Sequence, residues 1–139
     1  MQNPEIVESH FARIEIDRDS QIVKLIRSAT PLDAQSIVRA VDDFQLAAPL
    51  RERPRLVLLQ DMRLAPAVRD AALEKTFAVV LPRLTAKFAA RAVLLATAVG
   101  RLQATRFVRM SEGDATVFTD EAEALRFLRD AVLKLKPAR

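Results

Sequence analysis

Leu56-Val57-Leu58-Leu59 is an unbroken aliphatic run, and Ala92-Val93-Leu94-Leu95-Ala96 is a second one further along the chain. Runs of strand length without polar alternation suit strands covered on both faces, as in a parallel sheet. Between them Leu73, Phe77, Val80, Leu81, Leu84 and Phe88 recur at helical spacing, which predicts a long helix from about Pro66. Strand, helix and strand in that order form a crossover unit that brings the two strands parallel. Pro82 falls inside the helical stretch. Its ring clashes with the carbonyl one turn back, so a kink or split is expected there, with both halves packed on one sheet.

Upstream, Phe11 to Asp17 alternates apolar and polar residues, and Ile22 to Arg27 does so less cleanly. Turn formers at Arg18-Asp19-Ser20-Gln21 join them, predicting a β-hairpin with one buried face. Thr30, Pro31 and Asp33 follow as a cap, a first helical residue and a first-turn acid. The helix they open carries Ile37, Val38, Val41 and Phe44 as its apolar stripe, and Pro49 and Pro54 flank a charged loop, Arg51-Glu52-Arg53.

Downstream, a short helix is expected from about Val99 to Met110, a turn at Ser111-Glu112-Gly113-Asp114, and a short strand at Ala115-Thr116-Val117-Phe118. Thr119 or Asp120 caps the last helix, and Asp120 with Glu123 has capping-box spacing. Ala124, Leu125, Leu128, Ala131, Val132 and Leu135 form its apolar face, with Lys134 and Lys136 near its negative end. The expected order is ββαβαβαβα, an α/β fold with helices packed on a mixed, mainly parallel sheet. No linker or repeat marks a second domain, so residues 1–139 read as one domain with a core at about 11–135.

Composition narrows the chemistry. With no Cys, disulfides, thiolate nucleophiles and thiolate metal sites are excluded together. One His, His10, leaves little for a metal site or a Ser/His/Asp triad, and two glycines fall short of a dinucleotide or phosphate-loop fingerprint. The N-terminus lacks the pattern of a signal peptide, and no apolar run is long enough to span a bilayer, which points to a soluble protein of the cytoplasm. The net charge of +4 arises in the second half, where no Asp or Glu interrupts Lys75, Arg83, Lys87, Arg91, Arg101, Arg106 and Arg109. Without stacking aromatics beyond Phe107, the run reads as a solvated helix surface and argues against nucleic-acid binding.

The hairpin, the strand ending in Asp61-Met62-Arg63, and Ala92 to Ala96 leading into a helix together resemble the STAS superfamily of anti-sigma-factor antagonists and sulfate transporters. The most characteristic phrase is Val117-Phe118-Thr119-Asp120-Glu121-Ala122-Glu123-Ala124-Leu125, and the likeness covers roughly Phe11 to Asp130. It is nearest to the STAS-like group of small bacterial proteins. The resemblance implies a non-catalytic regulatory module that binds protein partners and sometimes small ligands, without a cofactor. Regulatory members carry a phosphorylated Ser or Thr where the strand at Leu56 to Gln60 passes into a helix. This chain reads Asp61-Met62-Arg63-Leu64-Ala65-Pro66-Ala67-Val68 there and has no hydroxyl to modify.

Three functions therefore compete. A protein-contact module, with a protein partner or as a homodimer, would use the helix from Pro66 to Phe88 with the loop Asp61, Met62 and Arg63, where a flexible Met sits among charges. A small-ligand binder would use a pocket at the carboxyl ends of the strands, near Asp61, with Thr97, Gly100 and Arg101 offering a hydroxyl, free amides and a cation to an anionic or apolar ligand. An enzyme would need a carboxylate pair drawn from Asp17, Asp61 or Asp114, which no spacing favours. The bland alternatives are ordinary turn chemistry at Asp61 and Arg63, and a Gly100 that serves the geometry of a strand-to-helix turn.

Overall fold

A computed structural model describes residues 4–66, 70–97 and 115–135. The described strands are β1 (Glu5–Glu8), β2 (Ala12–Asp17), β3 (Ile22–Arg27), β4 (Val57–Asp61), β5 (Ala90–Leu94) and β6 (Thr116–Phe118). They form one sheet in chain order, antiparallel from β1 to β3 and parallel from β3 to β6. The described helices are α1 (Ala34–Ala47), α2 (Ala71–Thr85) and α3 (Glu121–Leu133). The expected mixed, mainly parallel α/β architecture is present.

Strand parity divides the core into two layers. Ile14, Ile16, Val23, Leu25 and Leu58 point to one face, where they pack with Ile37, Val41 and Phe44 of α1 and Val80 and Leu84 of α2. Ile22, Val57, Leu59, Ala92 and Leu94 point to the other, against Ala124 and Leu128 of α3. A central sheet with both faces covered explains why β4 and β5 read as aliphatic runs rather than alternations.

Several expectations are corrected in detail. β1 precedes the predicted hairpin and makes it a three-stranded meander. Helix α1 starts at Ala34, later than Thr30 and Pro31 suggest, because the Asp33 carboxylate accepts the Ser36 amide at 2.7 Å and takes the cap. That bond holds the Asp33 pKa below the ordinary carboxylate value. Val38 is exposed, so the buried stripe is Ile37, Val41 and Phe44.

Helix α2 starts at Ala71, capped by Asp70, whose carboxylate accepts the Ala72 amide at 2.8 Å; Pro66 lies outside it. It runs through Pro82 without a split. Ala78, whose carbonyl loses its partner to the ring, is exposed and open to water. At α3 it is Asp120, not Thr119, that caps, accepting the Ala122 amide at 2.9 Å. The helix expected at Val99 to Met110, the turn at Ser111 to Asp114 and Lys136 lie outside the described residues.

The largest correction is Arg53. It sits in the predicted charged loop yet is fully buried. Its Nε donates to the Ala48 carbonyl at 2.9 Å, and its Nη1 donates to those of Arg83 at 2.7 Å and Ala86 at 3.1 Å. Those carbonyls belong to the C-terminal ends of α1 and α2, where backbone acceptors lack helical partners and the dipole is negative. The guanidinium carbon also lies 5.2 Å from the Phe44 ring and 5.0 Å from the Phe88 ring, within cation–π range. Arg91 departs likewise from a solvated basic face: it is buried in β5.

Candidate functional site

At the carboxyl ends of β3 and β4, the sheet and the two helices on its first face do not close completely. A crevice of about 70 Å³ remains. Val7, Ile14 and Leu25 form its floor, α1 supplies Ile37, Ala40 and Val41, α2 supplies Phe77, Val80 and Leu81, and Phe11, Leu32 and Met62 line it further. Two polar side chains share these apolar walls, Arg27 and Gln60, which are 9% and 7% exposed.

Strand parity puts both there. Arg27 ends the inward series Val23, Leu25, Arg27. Gln60 follows Leu58 on the same face and stands opposite Leu25 across the parallel pair. The Arg27 Nη1 donates to the Phe11 carbonyl, and its Nη2 donates to that of Thr30 at 3.3 Å. Burial lowers its pKa from the ordinary arginine value. Among the described residues no carboxylate pairs with it.

The crevice borders a wide, open groove of about 620 Å³. Glu8, Ser9, Phe11, Ala40 and Asp43 line both, and the groove adds His10, Asp33, Gln35, Ser36 and Arg39. His10 is exposed there, with its carbonyl accepting the Ser28 hydroxyl at 2.6 Å. Among the described residues no three His, Asp or Glu side chains converge as metal ligands would.

The residues singled out from the sequence divide. Asp61 and Arg63 come together, while Met62 between them turns to the opposite face. Asp61 points to the α3 face, where its Oδ1 accepts both the Arg63 amide at 3.2 Å and Nε at 3.0 Å, while Oδ2 accepts Nη2 at 2.7 Å. The same Nη2 donates to Glu121 at the start of α3, at 3.1 Å. Asp61 is the largest cause of a raised Arg63 pKa, so the guanidinium stays charged and engaged. This combines the turn chemistry foreseen for Asp61 with a bidentate pair to an Arg63 whose side chain remains 42% exposed. Met62 packs partly on Val93 and Leu95 and also lines the crevice.

Thr97 is exposed, and Gly100 and Arg101 lie outside the described residues, as do Arg106 and Arg109. The first turn of α2 after Asp70 reads Ala71-Ala72-Leu73-Glu74, again without a hydroxyl. Reasoning from sequence passed over Arg27 and Gln60. The available signal was parity: each follows a buried aliphatic residue by two positions in a strand.

No family model matches the chain, and no curated protein matches it. Among solved structures, it is similar to an uncharacterized protein of the DUF3478 family with a SpoIIAA-like fold from Shewanella loihica PV-4. The TM-score is 0.53 at 15% identity, over 90% of this chain and 91% of that one. At that identity the likeness speaks for architecture. With the meander, the parallel crossovers and helices on both faces, it gives the chain a SpoIIAA-like fold.

Proposed function

We propose that the protein is a non-catalytic binding module whose crevice between the sheet, α1 and α2 receives a small apolar guest. The observation that carries this reading is the incomplete closure of the first-face core at the strand ends, where apolar walls surround two buried polar groups. Ligands favour concave apolar sites with few polar groups, and in open α/β sheets the carboxyl ends of strands. Asp61 supports the non-catalytic part, since a carboxylate clamped by Arg63 is poorly placed to act as a base.

The test is titration with 1-octanol by ligand-observed NMR, on the native chain and on Ala40→Trp, whose indole would fill the crevice. Binding by the native chain that the variant loses is the expected result. Equal binding by both chains, or none by either, would sink the reading.

A second reading, contact with a protein partner or a second copy, is favoured by the outer side of α2. Its exposed residues are Ala71, Ala72, Lys75, Ala78, Val79 and Arg83, with no acid among them, and Val79 is 65% exposed. Ala72, Lys75, Val79 and Arg83 fall on one stripe at helical spacing. Small residues between two bases suit close approach by an acidic surface. Sedimentation of the native chain and of Val79→Asp over a range of concentrations tests the second-copy form. A dimer that the variant weakens supports it, and a native chain that stays monomeric rejects it.

A further inference from the structure

We infer that the guest of the crevice is an amphipathic monocarboxylate, its carboxylate held by Arg27 and its hydrocarbon by the walls beneath α1 and α2. This rests on the crevice reading above and adds the head group. A guanidinium carries five N–H donors. Arg27 spends one on the Phe11 carbonyl and one on the Thr30 carbonyl. Neither acceptor carries a charge, and among the described residues no carboxylate pairs with it, although Glu8 and Asp43 line the same crevice.

A buried cation without a counter-ion is costly, and a carboxylate delivered by a ligand would offset that cost. The planar fork also suits a carboxylate better than any other common small head group. Gln60, on the same face at the end of the neighbouring strand, adds amide donors that a second carboxylate oxygen could accept. The acids that line the crevice, Glu8 and Asp43, lie where it meets the open groove, and Glu8 is engaged by Arg13 at 3.5 Å. Arg27 reaches the same border through the Phe11 carbonyl, so a guest carboxylate must gain more from Arg27 than it loses to these two acids. The resident arrangement is pre-organised: Arg27 is already fixed by two carbonyls, so a guest does not have to order it.

The experiment compares octanoate, 1-octanol and octylammonium, three probes of matched chain length, by calorimetry and ligand-observed NMR on the native chain. Octanoate should bind about tenfold or more tighter than 1-octanol, the range of a charge-assisted hydrogen bond in a desolvated site. It should also shift the Arg27 Nε–H resonance. Arg27→Met should remove the preference while keeping 1-octanol affinity, and Arg27→Lys, which retains the charge, should keep part of it.

The outcomes separate the two ideas. Equal affinity for octanoate and 1-octanol overturns the carboxylate assignment and leaves the apolar crevice standing. Tighter octylammonium overturns it in favour of Glu8 and Asp43. Failure of all three probes overturns the crevice itself. Should Arg27→Met fail to fold, the head-group comparison on the native chain and on Arg27→Lys still decides.

Discussion

Replacing Arg53 tests how the first-face layer is held together. The side chain is fully buried and bonded to carbonyls of Ala48, Arg83 and Ala86, so one group joins the C-terminal ends of α1 and α2. In Arg53→Ala those carbonyls lose a charged donor, at about 1–3 kcal/mol for each acceptor left buried. The cavity between Phe44 and Phe88 and the lost cation–π contacts add to this. Against the loss stands relief of a buried cation, whose Nη2 has no hydrogen-bond partner among the described residues and whose pKa burial pushes down. The balance should be a loss of about 3–5 kcal/mol, comparable to breaking other buried charged contacts.

In urea, with a slope of about 2 kcal/mol per molar, the unfolding midpoint should fall by roughly 2 M. Arg53→Met fills the space without satisfying the carbonyls and should lose less than Arg53→Ala. Arg53→Lys keeps the charge, but a single ammonium cannot reproduce a fork that reaches carbonyls of both helices. The assay is equilibrium urea unfolding, with the slope checked for constancy. An Arg53→Ala midpoint within about 0.5 M of the native value would refute the reasoning, because the desolvation cost would then cancel the bonds.

Other changes have expected outcomes of either sign. Lys87 is exposed with φ 72° just past α2, so Lys87→Gly should raise stability by about 1 kcal/mol in the same assay. Gln21, at φ 65°, is the contrasting case: its Nε2 donates to the Arg55 carbonyl at 2.7 Å, so Gln21→Gly should lose that bond and show little net gain. In a double-mutant cycle, Asp61 with Arg63 should couple by about 1 kcal/mol and Arg63 with Glu121 by less, since the Asp61 side chain is 8% exposed and that of Glu121 45%. Asp33 has its folded pKa below the unfolded one, so its stabilising effect is present above the usual carboxylate range and is lost as pH falls through it. Urea midpoints measured from neutral pH down to about pH 3 should therefore fall less steeply in Asp33→Asn, whose amide oxygen still caps α1 without titrating.

How much could be read from sequence depends on how far each residue's partners lie along the chain. The crossover from β4 to β5 was legible because burial on both faces leaves a local mark, the aliphatic runs beginning at Leu56 and Ala92. β1 was not: it is four residues long, mostly exposed, and acidic at both ends. Its acids are held by Arg13 and Arg18, partners that only the pairing with β2 brings near. Arg53 stands beside a proline in a charged tripeptide, and nothing local shows that acceptors at positions 83 and 86 will enclose it. Asp61 and Arg63 could be foreseen as a turn, but Glu121, 58 residues from Arg63, could not. Arg27 and Gln60 are a different case. Their strand parity is visible, but a polar residue at a strand end normally meets solvent, and nothing local marks these two as buried.

That parity also separates the candidate functions. Gln60 and Asp61 are neighbours in β4, and successive strand residues face opposite ways. Gln60 therefore enters the crevice under α1 and α2, while Asp61 turns to the α3 face and is closed off by Arg63 and Glu121. The sequence reading gathered Asp61, Met62 and Arg63 into one surface; in the fold, Met62 lines the crevice and the ion pair belongs to the opposite layer. The inner side of α2 roofs the crevice through Phe77, Val80 and Leu81, and its outer stripe holds Val79 and Arg83. Val79→Asp should consequently leave octanoate affinity unchanged, and Ala40→Trp should abolish it without altering sedimentation. If Val79→Asp weakened octanoate binding while the chain stayed folded, the two sides of α2 would not be independent, and the division of roles drawn from strand and helix parity would fail.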